Sequence, residues 1–372
     1  MQVLSPHLVY NMVIVLILKR KINMQKAIKH NSLRLVLIVF LSTLFSCSND
    51  DSLSNLNETI FVRHKNADMP AYIHGNASEK VFLIILHGGP GGFGLAYRNA
   101  TIKSDIEKEV AVVYFDQRGS GMAQGNYSKD GITIDIMAED VLALAKVIKH
   151  KYGDDSKLFL MGHSWGGTLG PATLLKDQSP FLGWINVDGS GNTKGLYEAY
   201  IANFRRVANE QIAAENNVNY WESVIDFVDG LSPVYTNIDD MYDLNIEAFN
   251  AERKLEDLGL INKEKNQNSE VLYKYTPLTL IWNQLNTQSI LDEDLFENID
   301  FTDRFPEITI PSLVLWGRHD MVVPITFADE AYDNLGSSQK EVFIFERSGH
   351  SPMFSEPDLF AEKVMAFINA HK

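Results

Sequence analysis

The sequence is poor in cysteine, in basic residues and in metal-binding motifs, and each of these features is typical of a class of protein. It contains one cysteine in 372 residues, so no intramolecular disulfide can form. Basic residues are outnumbered, 33 Lys and Arg against 48 Asp and Glu, and the resulting net charge of −15 argues against a nucleic-acid partner. No C-x-x-C or H-E-x-x-H motif occurs, so we expect no metal and no cofactor.

Hydrophobic runs of membrane-spanning length are missing as well. From Met24, three basic residues precede an apolar segment, and a small residue precedes Cys47. Residues 35–46 are shorter than the roughly 20 apolar residues that a membrane span requires. The segment resembles a bacterial lipoprotein signal peptide, so we expect cleavage before Cys47 and lipidation of that residue.

The N-terminal 57 residues are accordingly predicted to be a leader and a tether. Residues 24–46 form the predicted signal peptide, and the polar residues 47–57 form a flexible link between the lipid and the folded part of the chain. Residues 1–23 hold a second apolar stretch and are interpreted as an upstream extension, with Met1 or Met24 as the true start. We expect an exported bacterial lipoprotein, anchored in a membrane and facing the periplasm or the cell surface.

The most informative motif is G-H-S-W-G at residues 162–166, which follows an apolar, strand-like segment. A G-x-S-x-G pattern is typical of a nucleophilic serine on a sharp strand-to-helix turn. Small flanking residues permit the strained bend, and the helix that follows directs its N-terminal dipole at the hydroxyl. Ser164 is therefore the predicted nucleophile, the alternative being a glycine-rich turn around a buried serine.

A second glycine-rich segment, H-G-G-P-G-G at residues 87–92, follows an apolar run of the length of a buried parallel strand. Backbone N–H groups left open by glycine can bind a developing oxyanion, each contributing about 3 to 4 kcal/mol to lowering the barrier. We predict an oxyanion hole made by Gly89 and by Trp165, the residue after the nucleophile. A phosphate-binding loop is the alternative, disfavoured because no P-loop lysine follows and Pro90 lacks an N–H.

Together with D-Q-R-G-S-G at residues 116–121, these motifs stand in an order and spacing that resemble the α/β-hydrolase superfamily, and more narrowly its proline iminopeptidase-like branch. The resemblance covers roughly residues 58–190 and 304–372. It implies a catalytic triad in the chain order Ser, Asp, His. In the middle motif, Asp116 and Arg118 are interpreted as a buried, hydrogen-bonded pair beneath the site.

The C-terminal part supplies the remaining two triad residues. Asp320 lies just beyond a strand-like segment at residues 312–317, where open parallel sheets place functional loops, and is the predicted acid. His350 stands in a glycine-flanked turn after the next strand, resembles the family's base position, and is the predicted base. Asp188, at the end of the strand-like residues 181–187, is the alternative acid.

Three other histidines are less suitable as the base. His87 and His163 precede the acid in the chain, which the superfamily order disfavours, and His319 adjoins Asp320 in sequence.

Alternation of strand-like and helical segments predicts a mostly parallel, eight-stranded sheet flanked by helices, the α/β-hydrolase fold with an inserted helical cap. The predicted strands are near residues 59–63, 70–74, 81–86, 110–115, 157–162, 182–187, 312–316 and 341–346. The predicted helices are near residues 133–151, 165–177, 323–335 and 356–370. The core is assigned to residues 58–190 and 304–372, and the cap to residues 191–303, where apolar residues recur at helical spacing.

The cap is expected to form the substrate pocket. Proline iminopeptidases bind a free α-amino group with cap carboxylates, one of them in a W-x-x-W-E stretch, and here only Asn219-Tyr220-Trp221-Glu222 approaches it. Glu222 and Trp221 are therefore candidate substrate-binding residues, by an ion pair and a cation–π contact. A solvated surface glutamate is the alternative for Glu222.

The sequence thus favours a serine hydrolase that resembles proline iminopeptidase and releases N-terminal proline or another small residue from short peptides. An esterase or other small-molecule acyl hydrolase with the same triad is the alternative. A non-catalytic binding lipoprotein is disfavoured because every catalytic element is present. The expected partners are the substrate and, through Cys47, a membrane, while the oligomeric state stays open.

Overall fold

The computed structural model describes residues 53–125, 129–264 and 274–372. Cys47 and the predicted signal peptide lie outside these ranges, so cleavage and lipidation stay predictions. Within the described ranges, no helix combines the length and the apolar character needed to cross a membrane. The first strand begins at Leu56, so the last two residues of the predicted tether belong to the sheet.

A mixed sheet organises the described chain, in the order β1-β2-β4-β3-β6-β7-β8-β9 with the short β5 paired to β2. The pairings β1–β2, β2–β4 and β2–β5 are antiparallel, and all others are parallel. The predicted mostly parallel fold is confirmed, with β5 as an addition. The strands are β1 (Leu56–His64), β2 (Ala67–Gly75), β3 (Val81–Leu86), β4 (Ala111–Phe115), β5 (Gln124–Gly125), β6 (Lys157–His163), β7 (Phe181–Val187), β8 (Ser312–Gly317) and β9 (Lys340–Phe345).

Helices follow most of the parallel strands and cover both faces of the sheet. They are α1 (Ile134–Tyr152), α2 (Trp165–Leu174), α3 (Leu196–Ala213), α4 (Val218–Asp229), α5 (Ile238–Asp257), α6 (Pro277–Asn298), α7 (Thr326–Asn334), α8 (Pro352–Ser355) and α9 (Pro357–His371). Within the described residues, helices α3 to α6 lie between β7 and β8. An antiparallel bridge between Asn192 and Asp300 joins the two ends of this insertion.

The core forms on the two faces of the central strands. Every residue of β3 and β4 is buried, because parallel strands covered by helices on both faces have no solvent side. Helix α1 packs an apolar stripe on the sheet, and the side chain of Thr133 caps its first turn by accepting the N–H of Ile136 at 3.2 Å. In the cap, Tyr200, Phe204 and Val207 of α3 are buried at helical spacing and belong to the same hydrophobic cluster as the side chains beneath α1.

Pro171 lies where a proline is unfavourable. In the first turn of a helix its missing N–H would cost little. Instead α2 begins at Trp165 and Pro171 lies inside the helix. The helix ends soon afterwards, at Leu174, although the carbonyl of Pro171 still accepts the N–H of Leu175 at 2.9 Å.

Candidate active site

Ser164 occupies a strained turn between β6 and α2. Its backbone has φ 55° and ψ −122°, a region that residues with a Cβ rarely adopt. The flanking glycines allow the turn to pack closely: a Cβ on Gly162 would lie 2.1 Å from the carbonyl oxygen of Gly166, and a Cβ on Gly166 would lie 2.1 Å from that of Leu86. The serine N–H donates to the carbonyl of Val187 at 3.0 Å. The predicted nucleophile therefore sits on a turn fixed by the neighbouring strands.

Asp320 and His350 meet beneath the cap. Nδ1 of His350 lies 2.9 Å from Oδ2 of Asp320, and both side chains are almost fully buried. The other carboxylate oxygen accepts the N–H groups of Val322 and Val323, each at 2.8 Å, which fixes the orientation of the acid. Since Asp320 engages Nδ1, Nε2 is the ring nitrogen left to take a proton from a serine.

The acidic surroundings shift the pKa of His350 upwards. Burial by itself lowers this pKa, but the charge and hydrogen bond of Asp320 outweigh it, and the charges of Glu252 and Glu264 act in the same direction. The environment therefore stabilises the imidazolium that forms when the serine loses its proton.

The backbone of His350 is held from both sides. Its N–H donates to Oε1 of Glu252 at 3.0 Å, and its carbonyl lies 2.7 Å from Nε2 of His163. Because a carbonyl can only accept, Nε2 of His163 carries the proton, and its Nδ1 accepts from the hydroxyl of Tyr97 at 2.6 Å. That hydroxyl in turn accepts the N–H of Gly88 at 2.8 Å. This chain of hydrogen bonds connects the glycine-rich loop to the base.

His163 itself is kept neutral. Burial, assisted by the charge of His350, lowers the pKa of His163 to about 3. It is therefore a fixed hydrogen-bonding group beside the triad, in keeping with its exclusion as the base.

The predicted oxyanion donors lie beside the nucleophile. Gly89, Ser164 and Trp165 line one cavity of about 90 Å³. Trp165 is the first residue of α2, so its N–H has no acceptor within the helix. The N–H of Gly88 is already used by Tyr97, which leaves Gly89 as the next donor in that loop.

Gln117 connects the three sequence motifs. Its side-chain oxygen accepts from the indole N–H of Trp165 at 2.8 Å, and its side-chain nitrogen donates to the carbonyl of His87 at 3.0 Å. The buried amide therefore holds the nucleophile turn and the glycine-rich loop in register.

Asp188, the alternative acid, lies near Asp320 rather than beside the imidazole of His350. It is fully buried, and its Oδ1 accepts the N–H of Gly317 at 2.8 Å. Burial, followed by the charge of Asp320, raises its pKa well above the usual value. The structure thus brings Asp320, and not Asp188, to the imidazole of His350.

The interpretation of Asp116 and Arg118 as a pair with each other is wrong. Both are buried, but Arg118 forms a two-pronged ion pair with Asp140 on α1, at 2.7 and 2.8 Å. Asp116 instead accepts the N–H groups of Gly94 and Met122, each at 2.8 Å. Neighbours in the loop point apart and find partners on different elements.

The structure does not bring the two cap residues predicted from sequence to the triad. Glu222 is exposed on α4, and Trp221 is fully buried in the core of the cap against Tyr220. Their substrate-binding role stays a prediction, which this placement does not support. Sequence reasoning missed Glu252, whose position on an amphipathic cap helix gave no signal of chemistry, because only packing shows that it reaches the base.

A larger cavity of about 530 Å³ opens beside His350. Its lining includes Phe249 of the cap and three glutamates, Glu252, Glu256 and Glu264. In the parts of the chain that the structure describes, no group of three or more His, Cys, Asp and Glu side chains is arranged to hold a metal ion.

Comparison with known proteins accords with this geometry. A sequence model of the α/β hydrolase fold matches residues 81–357. The chain belongs to the α/β hydrolase family. It is 25% identical over 315 residues to the probable aminopeptidase YbaC of Bacillus subtilis, covering 82% of this chain and 94% of that protein.

Two further comparisons concern proline iminopeptidases. The chain is 26% identical over 295 residues to the proline iminopeptidase of Saccharolobus solfataricus, covering 77% of this chain and 84% of that protein. The crystal structure of the Mycobacterium smegmatis proline iminopeptidase superposes with a TM-score of 0.56 at 17% identity, covering 84% of this chain and 98% of that one. At that identity, the structural likeness concerns the fold. The α/β hydrolase described here is a serine hydrolase of the proline iminopeptidase-like branch.

Proposed function

We propose that this hydrolase is an aminopeptidase that releases N-terminal proline, or another small residue, from short peptides through an acyl-enzyme. Ser164 attacks the scissile carbonyl while Nε2 of His350 takes its proton, and Asp320 stabilises the imidazolium. The N–H groups of Gly89 and Trp165 bind the oxyanion. His350 then returns the proton to the leaving amine, and water releases the acyl group by the same steps.

The observation that carries this proposal is the small size of the cavity that contains Ser164. It measures about 90 Å³ and is walled mainly by apolar side chains of the cap and the core, namely Leu196, Tyr200, Leu295, Phe296, Val322 and Val323. Such a pocket suits a proline ring or a short aliphatic side chain.

The cavity beside His350 supports recognition of a free amino group. Its lining includes Glu256 and Glu264 together with Arg253 and Lys263, and a carboxylate forms charge-assisted hydrogen bonds with an ammonium group. Two relatives named as aminopeptidases point in the same direction.

Esterase activity is the second candidate, favoured by a different observation. Within the described residues, the lining of the cavity around Ser164 includes no acidic side chain. A neutral acyl chain would meet apolar and hydroxyl groups and the amide of Asn245 there, so the same triad would act on a small ester.

The discriminating experiment compares kcat/KM on prolyl and alanyl arylamides, their N-acetylated forms and short-chain aryl esters, with a soluble form that begins at Ser48. The aminopeptidase proposal expects turnover of the free-amine arylamides and loss of activity on N-acetylation. Ser164→Ala should lower kcat by about 10⁶-fold while leaving the fold intact. Cleavage of esters alone would replace the aminopeptidase proposal by the esterase, and full activity of the alanine variant would overturn the site.

We also propose that the protein is an exported lipoprotein anchored through Cys47. The support is the sequence pattern at residues 24–47 alone. Labelling with a palmitate analogue in a bacterial host should mark the wild type and not Cys47→Ser, and equal labelling of both would contradict the proposal.

A further inference from the structure

We propose that Glu252, on the cap helix α5, is a positioning residue that holds the acid loop and the base loop of the triad in register. One carboxylate oxygen, Oε1, accepts the N–H of His350 at 3.0 Å and the N–H of Met321 at 2.9 Å. Met321 follows the acid directly in sequence. The cap is thereby part of the catalytic arrangement, beyond its role as a roof over the pocket.

The two loops depend on such a link because they belong to different strands. The acid loop follows β8 and the base loop follows β9, and beyond these strands the sheet ladder no longer fixes their separation. A backbone bond between His319 and Ser348, 2.9 Å long, joins the loops on one side, and Glu252 joins them where the catalytic residues themselves stand. Proton transfer is sensitive to this separation, since a misplacement of about 1 Å can cost about 10²-fold in rate.

The close packing around the carboxylate of Glu252 supports a specific contact with the base loop. A Cβ on Gly349 would lie 2.5 Å from Oε2 of Glu252, so the absence of a side chain there lets the carboxylate approach the loop. Burial, followed by the charge of Asp320, raises the pKa of Glu252 to about 8. Both N–H groups point at Oε1, and a carboxyl group keeps an accepting oxygen in either protonation state, so the geometry is that of a positioning group.

Two substitutions of Glu252 distinguish the effect of its hydrogen-bond acceptor from the effect of its side-chain volume. Glu252→Gln keeps a carbonyl oxygen at the same reach, and Glu252→Met keeps the bulk and removes the acceptor. On a neutral aryl ester, which offers no amine, we expect kcat of the methionine variant to fall by about 10²-fold with KM within about threefold of wild type. The glutamine variant should recover kcat to within about threefold of wild type.

Asp243→Ala is the matched control, because Asp243 is an exposed acid on the same helix, and it should leave both constants unchanged. A methionine variant with wild-type kcat on the ester would overturn the proposal, as would a glutamine variant as impaired as the methionine one. A rise in KM confined to free-amine arylamides would instead show that Glu252 binds the substrate amine, and would also overturn it.

The proposal rests on serine hydrolysis and not on the choice of substrate. The rate at which a fluorophosphonate probe labels Ser164 therefore provides a second readout, since phosphonylation needs the same base but no substrate. Slow labelling of the methionine variant and normal labelling of the glutamine variant are expected. If the probe labels the wild type but the wild type cleaves neither arylamides nor esters, the proposed substrate class is wrong. The labelling rates of the two variants still test the role of Glu252 in that case.

Discussion

The neutral, buried His163 gives a prediction whose size follows from its surroundings. Both ring nitrogens are engaged inside the protein, with the carbonyl of His350 and the hydroxyl of Tyr97, and its pKa is lowered to about 3. In the unfolded chain a histidine has a pKa near its ordinary value of about 6.5. As pH falls through that value, the unfolded state binds a proton that the folded state does not bind, so the free energy of unfolding decreases.

The magnitude at pH 5 follows from the gap between pH and the unfolded pKa. At pH 5, about 1.5 units below the unfolded pKa of about 6.5, protonation of the imidazole stabilises the unfolded state by about 2 kcal/mol. The folded state gains almost no free energy from protonation at this pH. His163→Gln removes the titrating ring and keeps an N–H donor for the carbonyl of His350. The variant should have a lower free energy of unfolding than the wild type at pH 8. Between pH 8 and pH 5 the difference between the two should move in favour of the variant by about 2 kcal/mol, because only the wild type loses stability through His163.

Urea unfolding of both proteins at pH 8, 7, 6 and 5 measures this change, because subtracting the two curves removes all groups that titrate alike in both. His150→Gln serves as the control, since His150 is exposed on α1 and its side chain is in water in both states. Parallel curves for wild type and His163→Gln between pH 8 and pH 5 would show that the folded protein accepts the proton, and would refute the neutral, doubly bonded His163.

Two further predictions concern the framework of the site. Arg118→Met should lower the free energy of unfolding by about 3 kcal/mol, because the buried Asp140 would lose its guanidinium partner and keep only Nδ1 of His64, 2.6 Å from Oδ1, and the double variant with Asp140→Leu should regain most of the loss in urea unfolding. Gly166→Ala should cost about 1 to 3 kcal/mol of stability and reduce kcat/KM on the preferred substrate, because the new Cβ meets the backbone of Leu86. Gly230→Ala is its control, with its nearest neighbour at 3.4 Å, and equal kinetic losses in both variants would contradict the steric argument.

The cap contributes to the site of this hydrolase in two ways. Side chains of α3 and α6, such as Leu196 and Phe296, line the small cavity around Ser164. Glu252 of α5 bonds to the loops that carry the acid and the base. A change in cap packing would therefore alter the rate constant of the chemical step as well as substrate selection.

Much of the fold and of the triad could be predicted from local sequence, because the features concerned are local in origin. The apolar run of β3 predicts a strand covered on both faces, and the observed strand is Val81–Leu86. The glycines around Ser164 are needed by a turn only a few residues long. Asp320 and His350 could be proposed because loops that carry function follow the carboxyl ends of parallel strands and the resemblance supplied their order.

Partners that come from distant parts of the chain could not be predicted in this way. Arg118 lies two residues from Asp116, yet it pairs with Asp140 on a helix, and the carboxylate that reaches the base comes from α5, 98 residues before His350. A sequence pattern records the propensity of a segment and the face that it buries. Which side chains meet depends on how separate elements pack, and that packing brings Glu252, and not Glu222, to the loops of the triad.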